Sequence, residues 1–217
     1  MAQTLATKSA TEAQAGSFYD KIANLYNLTF KFNGYGRSLH HYLRTHPIPL
    51  SRNAKILDAG CGTGLLTVAL LKALDHPVKI TAIDLSGSSI ETAKKAVEEK
   101  AGRADKVWFS QANVLALPFA DESFDFVVTS GVLEYVPLSE GLGELARVLK
   151  HKGYILHLPV RPSPVGKMLE VMFRFKAHPP REVAETTRRY FRVVKHYRFP
   201  PLHPIGWSKT AVLAQKF

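Results

Sequence analysis

The chain has 217 residues, 46% hydrophobic and 22% charged, which suits one globular domain with a sizeable core. It has a single cysteine, no run of about 18 apolar residues and no apolar leader in MAQTLATKSATEAQAGS. These features exclude a disulfide framework, a multi-cysteine metal site and a membrane-spanning helix, and they lead us to expect a disordered lead over 1–16 and a cytoplasmic location. The formal net charge of +11 is uneven: residues 1–146 carry 14 basic against 15 acidic side chains, and residues 147–217 carry 15 against 3. The last third therefore holds the whole excess and suits an anionic partner such as lipid, nucleic acid or an acidic substrate.

In chain order, SFYDKIANLYN places Phe18, Ile22 and Leu25 on one helical face. Asn33-Gly34 signals a turn, SLHHYLR resumes helical spacing through Leu39 and Leu43, and His46-Pro47-Ile48-Pro49 breaks the pattern. Residues 55–59 read as a short buried strand running into Gly60-Cys61-Gly62-Thr63-Gly64, and Leu65 to Leu74 reads as a helix. Further strands are predicted over 78–84, 107–111, 124–130 and 153–158. Between them, Ser88 and Glu91 form a capping box for a helix running to Ala101 with Gly102 as its stop. Leu142, Leu145, Ala146 and Leu149 mark another helix. Beyond Pro159 the pattern predicts helices over 165–175 and 181–190 and strands over 192–199 and 208–216. Strand–helix alternation of this length predicts an α/β fold with a doubly wound parallel sheet.

The glycine turn is where chemistry is expected. Three glycines keep Cβ atoms away from a ligand, and the helix N-terminus behind them offers free N–H groups to a carboxylate or phosphate. Asp84 closes the second strand, where a ribose hydroxyl pair sits in nucleotide sites on such sheets. The spacing is G-x-G-x-G, neither the G-x-G-x-x-G of dinucleotide sites nor a phosphate-cradling loop ending in lysine. Cys61 is expected to pack as a small residue within the turn.

Asp58-Ala59-Gly60-Cys61-Gly62-Thr63-Gly64, Asp84 and the run Asn113 to Val127, with Leu117-Pro118-Phe119, Asp121 and Ser123-Phe124-Asp125, resemble the class I S-adenosylmethionine-dependent methyltransferases of the small-molecule group. Tyr19-Asp20-x-x-Ala23-x-x-Tyr26-Asn27 resembles the segment heading the ubiquinone/menaquinone methyltransferases. The resemblance implies a Rossmann-like seven-stranded sheet, mostly parallel with an antiparallel last strand, in one methyltransferase domain over 17–217. Residues 17–50 would form a helical lid, and 159–217 a basic section whose start roofs the acceptor site. S-adenosyl-L-methionine is the implied cofactor and S-adenosyl-L-homocysteine the product. The implied cofactor set is Tyr19, Asp58, Gly60, Cys61, Gly62, Gly64, Asp84, Leu85, Asn113, Val114, Ser130 and Gly131. Asn113 stands where the family has an aspartate for the adenine amine, so an amide carbonyl replaces a charged acceptor.

Ser130-Gly131-Val132-Leu133 lacks the Asn/Asp-Pro-Pro-aromatic motif of base-amine methyltransferases, which argues against a nucleic-acid substrate. The histidines are scattered and suggest no metal site. If the acceptor is a hydroxyl or an activated carbon, His157 and Glu134 are the candidate bases, both near strand C-terminal ends. Met168 to Phe175, apolar with basic flanks, suits a greasy acceptor or a peripheral contact with an anionic membrane. The expected reaction is methyl transfer to a small lipophilic acceptor, a quinone precursor or a phospholipid headgroup. The alternatives are an RNA-binding protein or RNA methyltransferase using the basic third, and a peripheral membrane protein anchored by it.

Overall fold

The computed structural model describes residues 34–48, 50–101 and 106–217. The expected lead, the first predicted helix with Tyr19, and the stop at Gly102 lie outside these residues. Helix α1 (Tyr35–Thr45) is followed by β1 (Ala54–Ala59), α2 (Leu65–Ala73), β2 (Val78–Asp84), α3 (Gly87–Ala101) and β3 (Val107–Gln111). Then come β4 (Phe124–Ser130), α4 (Leu138–Val148), β5 (Leu149–Leu158), α5 (Pro164–Phe173), α6 (Pro180–Tyr190), β6 (Phe191–Arg198) and β7 (Thr210–Lys216). The strands form one seven-stranded sheet in the order β3-β2-β1-β4-β5-β7-β6. Pairings among β1 to β5 are parallel, and β7 runs antiparallel to both β5 and β6. This is the Rossmann-like sheet with an antiparallel last strand that the sequence predicts.

Both faces of the sheet are covered, which is why the central strands are apolar almost throughout. Ile56, Phe126, Val128, Leu156 and Leu158 face one core with residues of α1, α2 and α5. Leu57, Val127 and Ile155 face the other with Leu142 and Leu145 of α4 and Val183 of α6. Helix α1 belongs to the first core: Leu39 is fully buried, and Tyr42 meets the rings of Tyr197 and Phe199 at 4.9 and 5.2 Å.

Two local expectations need correction. The head of α3 is capped by Ser86, whose Oγ accepts from the Ser89 N–H at 3.1 Å, and not by a Ser88–Glu91 box. Glu91 turns outward to Lys94 at 2.7 Å, because Ser86 already occupies the capping position two residues ahead of Ser88. Strand β5 starts at Leu149 directly behind α4, four residues earlier than predicted. Lys150, His151 and Lys152 hide that start, since they break the apolar run while Leu149 still pairs with Phe124. At Gly153 a Cβ would stand 2.9 Å from the Lys150 carbonyl oxygen, so the kink in this strand requires glycine.

Because α1 is core and not periphery, Leu39→Ala should cost about 2–4 kcal/mol in urea unfolding. A loss below about 1 kcal/mol, as for a surface helix, would show that the helix is dispensable.

Candidate active site

The site is built where the strand order reverses, between β1 and β4, at the carboxyl ends of the parallel strands. The turn after β1 is held by β2: the N–H groups of Gly60 and Cys61 both reach the Ile83 carbonyl, at 2.9 and 2.8 Å. The Gly62 N–H donates to Asp84 Oδ2 at 2.8 Å, and Asp84 Oδ1 accepts from the Ser86 N–H at 3.0 Å. Gly60, Gly62 and Gly64 all have positive φ, at 76°, 52° and 82°, but they differ in what surrounds them. A Cβ at Gly60 would strike Val132 Cβ at 2.6 Å, and one at Gly64 would crowd the Ala93 backbone at 3.0 Å. At Gly62 it would meet nothing within 4 Å. Gly62 is thus the open side of the turn, and the other two glycines close its back.

Asp58 is enclosed, with Thr67 Oγ1 of α2 donating to its Oδ2 at 2.6 Å and its Oδ1 without a partner. Burial pushes its pKa up to about 7, the Thr67 bond opposes this, and the charge of Asp84 adds to it. Cys61 is buried against Ala82 and Ala93, and burial raises its thiol well above the ordinary range, as a packing role implies.

The far side of the cleft comes from β3 and the loop behind it. Asn113 Oδ1 accepts the Leu115 N–H at 2.9 Å, so the amide first shapes its own turn. Gln111, which the sequence reading did not single out, donates to the Leu85 carbonyl at 2.7 Å and braces the residue after Asp84. The Leu117-Pro118-Phe119 loop is clamped from α4: Arg147 donates to the carbonyls of Leu117 and Phe119 and to Asp121, and pairs with Glu144. Glu144 in turn accepts the Leu117 N–H at 2.8 Å.

At the end of β4, Ser130 Oγ lies 3.0 Å from the hydroxyl of Tyr35, the first residue of α1, and Gly131 has φ 80°. Tyr35 was also missed, and the Asn33-Gly34 turn signal just before it was the available clue. Beyond Gly131 the site becomes buried and polar. Glu134 Oε1 accepts the Val160 N–H at 2.6 Å, while its Oε2 has no partner. His157 is buried with both ring nitrogens unpartnered, and burial lowers its pKa to about 4. It is therefore neutral and a weak base near pH 7. The structure brings all the predicted residues from Asp58 to Gly131 to one edge of the sheet, with Glu134 and His157 next to them. Among the described residues no group of three or more His, Cys, Asp or Glu side chains could hold a metal ion.

A mostly parallel sheet with an open glycine turn after β1 and an acid at the end of β2 fits a methyltransferase of the S-adenosylmethionine-dependent type. Residues 56–153 match a family described as a methyltransferase domain. The demethylmenaquinone methyltransferase of Lactiplantibacillus plantarum is 32% identical over 188 residues, covering 79% of this chain and 76% of that one. The ubiquinone/menaquinone biosynthesis C-methyltransferase of Geotalea daltonii is 32% identical over 143 residues, covering 64% of this chain and 60% of its own length. The fold is also that of the geranyl diphosphate C-methyltransferase of Streptomyces coelicolor, solved with S-adenosyl-L-homocysteine, at TM-score 0.70, 15% identity and coverage of 83% and 76%. The cyclase SpnF shares it at TM-score 0.75 and 20% identity, covering 94% and 96%. The chain belongs to the class I S-adenosylmethionine-dependent methyltransferases and resembles the ubiquinone/menaquinone enzymes among them. The residues present fit that cofactor, because the turn is open at Gly62 and the Asp84 carboxylate is fixed beside it.

The raised pKa of Asp58 makes a pH-dependent contribution to stability. The folded chain holds this proton to about pH 7, whereas the ordinary value is 3.8, so its contribution is full below about pH 4 and is lost as pH rises to 7. Asp58→Asn should flatten the difference between urea midpoints at pH 5 and pH 8 relative to the wild type. An unchanged difference would show that Asp58 ionises normally.

Proposed function

We propose that the chain transfers the methyl group of S-adenosylmethionine to a small lipophilic acceptor of the quinol type. The observation that carries this reading is the sequence of environments along one edge of the sheet: open turn and Asp84, then Ser130-Gly131, then buried Glu134 and His157. The names of the Lactiplantibacillus and Geotalea relatives support a quinone-type acceptor. When bound, the cofactor supplies a methyl group already electrophilic on its sulfonium.

The chain's own residues then bind and orient. Backbone N–H groups of the Gly60–Gly64 turn and the head of α2 would hold the methionine carboxylate, with Cys61 contributing backbone only and Asp58 supporting the turn from within. Asp84, pre-set by two backbone N–H groups, would accept the ribose hydroxyls beside Leu85. Asn113 and the Val114 N–H would meet adenine, and Ser130, fixed by Tyr35, would lie under the methionine with Gly131. Positioning and exclusion of water can supply most of the acceleration. Glu134 and His157 would line the acceptor end, and we read 17–217 as one domain with 17–50 covering the cofactor.

The membrane contact has a surface that suits it. Among the described residues no helix is long and apolar enough to cross a membrane. Met168 and Val171 of α5 are exposed, as are Leu202 and Trp207, and Arg161 and Ser163 bond the carbonyls of Gly206 and Trp207, tying the two elements together. Basic Lys167 and Arg174 flank the apolar residues, a combination that favours anionic lipid.

Calorimetry should show binding of S-adenosylhomocysteine, weakened about tenfold or more by Asp84→Ala in a variant whose far-ultraviolet circular dichroism shows it still folded. Labelled methyl should pass to anaerobically reduced 1,4-naphthohydroquinone and not to phosphatidylethanolamine or RNA, and the protein should float with anionic but not neutral vesicles. A folded protein that fails to bind S-adenosylhomocysteine, or one that labels RNA instead, would overturn the reading.

A further inference from the structure

Lys209 is the least expected residue of the interior. It is only 2% exposed, among the described residues no carboxylate lies within ion-pairing distance, and the hydrogen bond of its side chain runs from Nζ to the Leu158 carbonyl at 3.2 Å. Its place is fixed by the backbone. Lys209 bridges Val160 just ahead of β7, its N–H reaches the Ile205 carbonyl, and the next N–H, of Thr210, reaches the Pro159 carbonyl. It therefore sits at the end of β5, on the edge of the sheet that carries Ser130 and the glycine turn.

Around it, the buried polar groups are left unmatched. Among the described residues Glu134 Oε2, both nitrogens of His157 and Thr129 Oγ1 have no partner, and Thr129 stands opposite His157 in the sheet register. The charged and titratable neighbours are Glu134 from the turn after β4, His157 from β5 and His178 ahead of α6. His178 is itself held on the Leu133 carbonyl, and Arg161 is turned away to the Gly206 carbonyl. An enclosed ammonium ion without a counter-ion is costly, whereas an enclosed amine is not. Burial accordingly pushes Lys209 below its ordinary range, and the charge of Glu134 only partly resists this.

We propose that Lys209 is the base of the acceptor site and that the acceptor is a phenol or enol, a quinol included. The inference rests on the methyltransferase reading above. The acceptor O–H bond breaks with its electron pair left on oxygen, and the proton passes to the lone pair of Nζ. The resulting ammonium and oxyanion neutralise each other inside the protein. The charged oxygen, or a ring carbon conjugated with it, then bonds to the methyl as the methyl–sulfur bond breaks, the electron pair of that bond staying on the sulfur of departing S-adenosylhomocysteine. Where carbon is methylated, the hydrogen it loses restores the hydroxyl, and Lys209 later releases its proton to solvent. Neutral His157 and Glu134 Oε2 act as hydrogen-bond partners that position the hydroxyl.

The test measures transfer of labelled methyl to two hydroxyl probes across pH 5–10. One is 1,4-naphthohydroquinone, un-ionised over most of that range, and the other is pentafluorophenol, already ionised at neutral pH. Wild-type transfer to the first should show an acidic limb that the second lacks, a comparison that needs no variant to fold. Lys209→Met should slow transfer to naphthohydroquinone about 100-fold or more and transfer to pentafluorophenol far less. Lys209→Arg should be as slow as Lys209→Met, because a guanidinium keeps its proton. Both variants should bind S-adenosylhomocysteine as the wild type does. Full activity in Lys209→Arg, or equal losses on both probes, would reduce Lys209 to a cap on the end of β5 and overturn the proposal. A wild type that methylates amines but neither hydroxyl probe overturns it too, while leaving the methyltransferase reading intact. Absence of S-adenosylhomocysteine binding removes both.

Discussion

Three consecutive N–H groups of the glycine turn end on the last two residues of β2, and the rest of the site depends on that tether. Gly60 and Cys61 share the Ile83 carbonyl, and Gly62 takes one oxygen of the Asp84 carboxylate. The other oxygen reaches Ser86, whose hydroxyl caps α3. One carboxylate thus joins a turn, a strand end and a helix start, so a ligand touching it meets groups already fixed. Preorganisation of this kind limits the ordering cost of binding.

The tether also links the two ends of the cleft. Gly60 cannot carry a side chain because Val132 fills that space, and Val132 stands two residues before Glu134. The glycine turn and the segment that carries Glu134 are therefore packed together through one valine. Electrostatics add a second coupling, since Asp84 helps to keep enclosed Asp58 protonated to about pH 7. A charge arriving near Asp84 is felt at the base of the turn.

The sheet and the glycine turn were legible in the sequence because their signals are local. The glycine spacing, the apolar strands and the acid at the end of β2 are each contained within a few residues, and the sheet follows from their alternation. The misreadings are equally local in origin: Ser86 and Ser88 are both fit to cap α3, and only the folded chain shows which does. Asn113 is expected to face adenine, and its carbonyl also accepts the N–H of the turn it starts, a local contact the spacing does not reveal. Tyr35, Gln111 and the Arg147 clamp were not legible, because each acts on a backbone or side chain 26 or more residues away.

The acceptor half was hidden for a deeper reason. Strand β5 ends at Leu158, ahead of Pro159 where the chain must leave the sheet, and two backbone groups there need partners in a dry environment. Glu134 takes the Val160 N–H and Lys209 takes the Leu158 carbonyl, from opposite sides in sequence. No spacing rule connects positions 134, 157 and 209, since they meet only once antiparallel β7 has been inserted beside β5. The family match stops at residue 153, short of both His157 and Lys209. That range holds the glycine turn, Asp84 and the loop after β3, the part proposed to hold the methyl donor. Where the chain folds back, burial gives Glu134, His157 and Lys209 surroundings that exposed copies would not have, and the proposed acceptor chemistry rests on them.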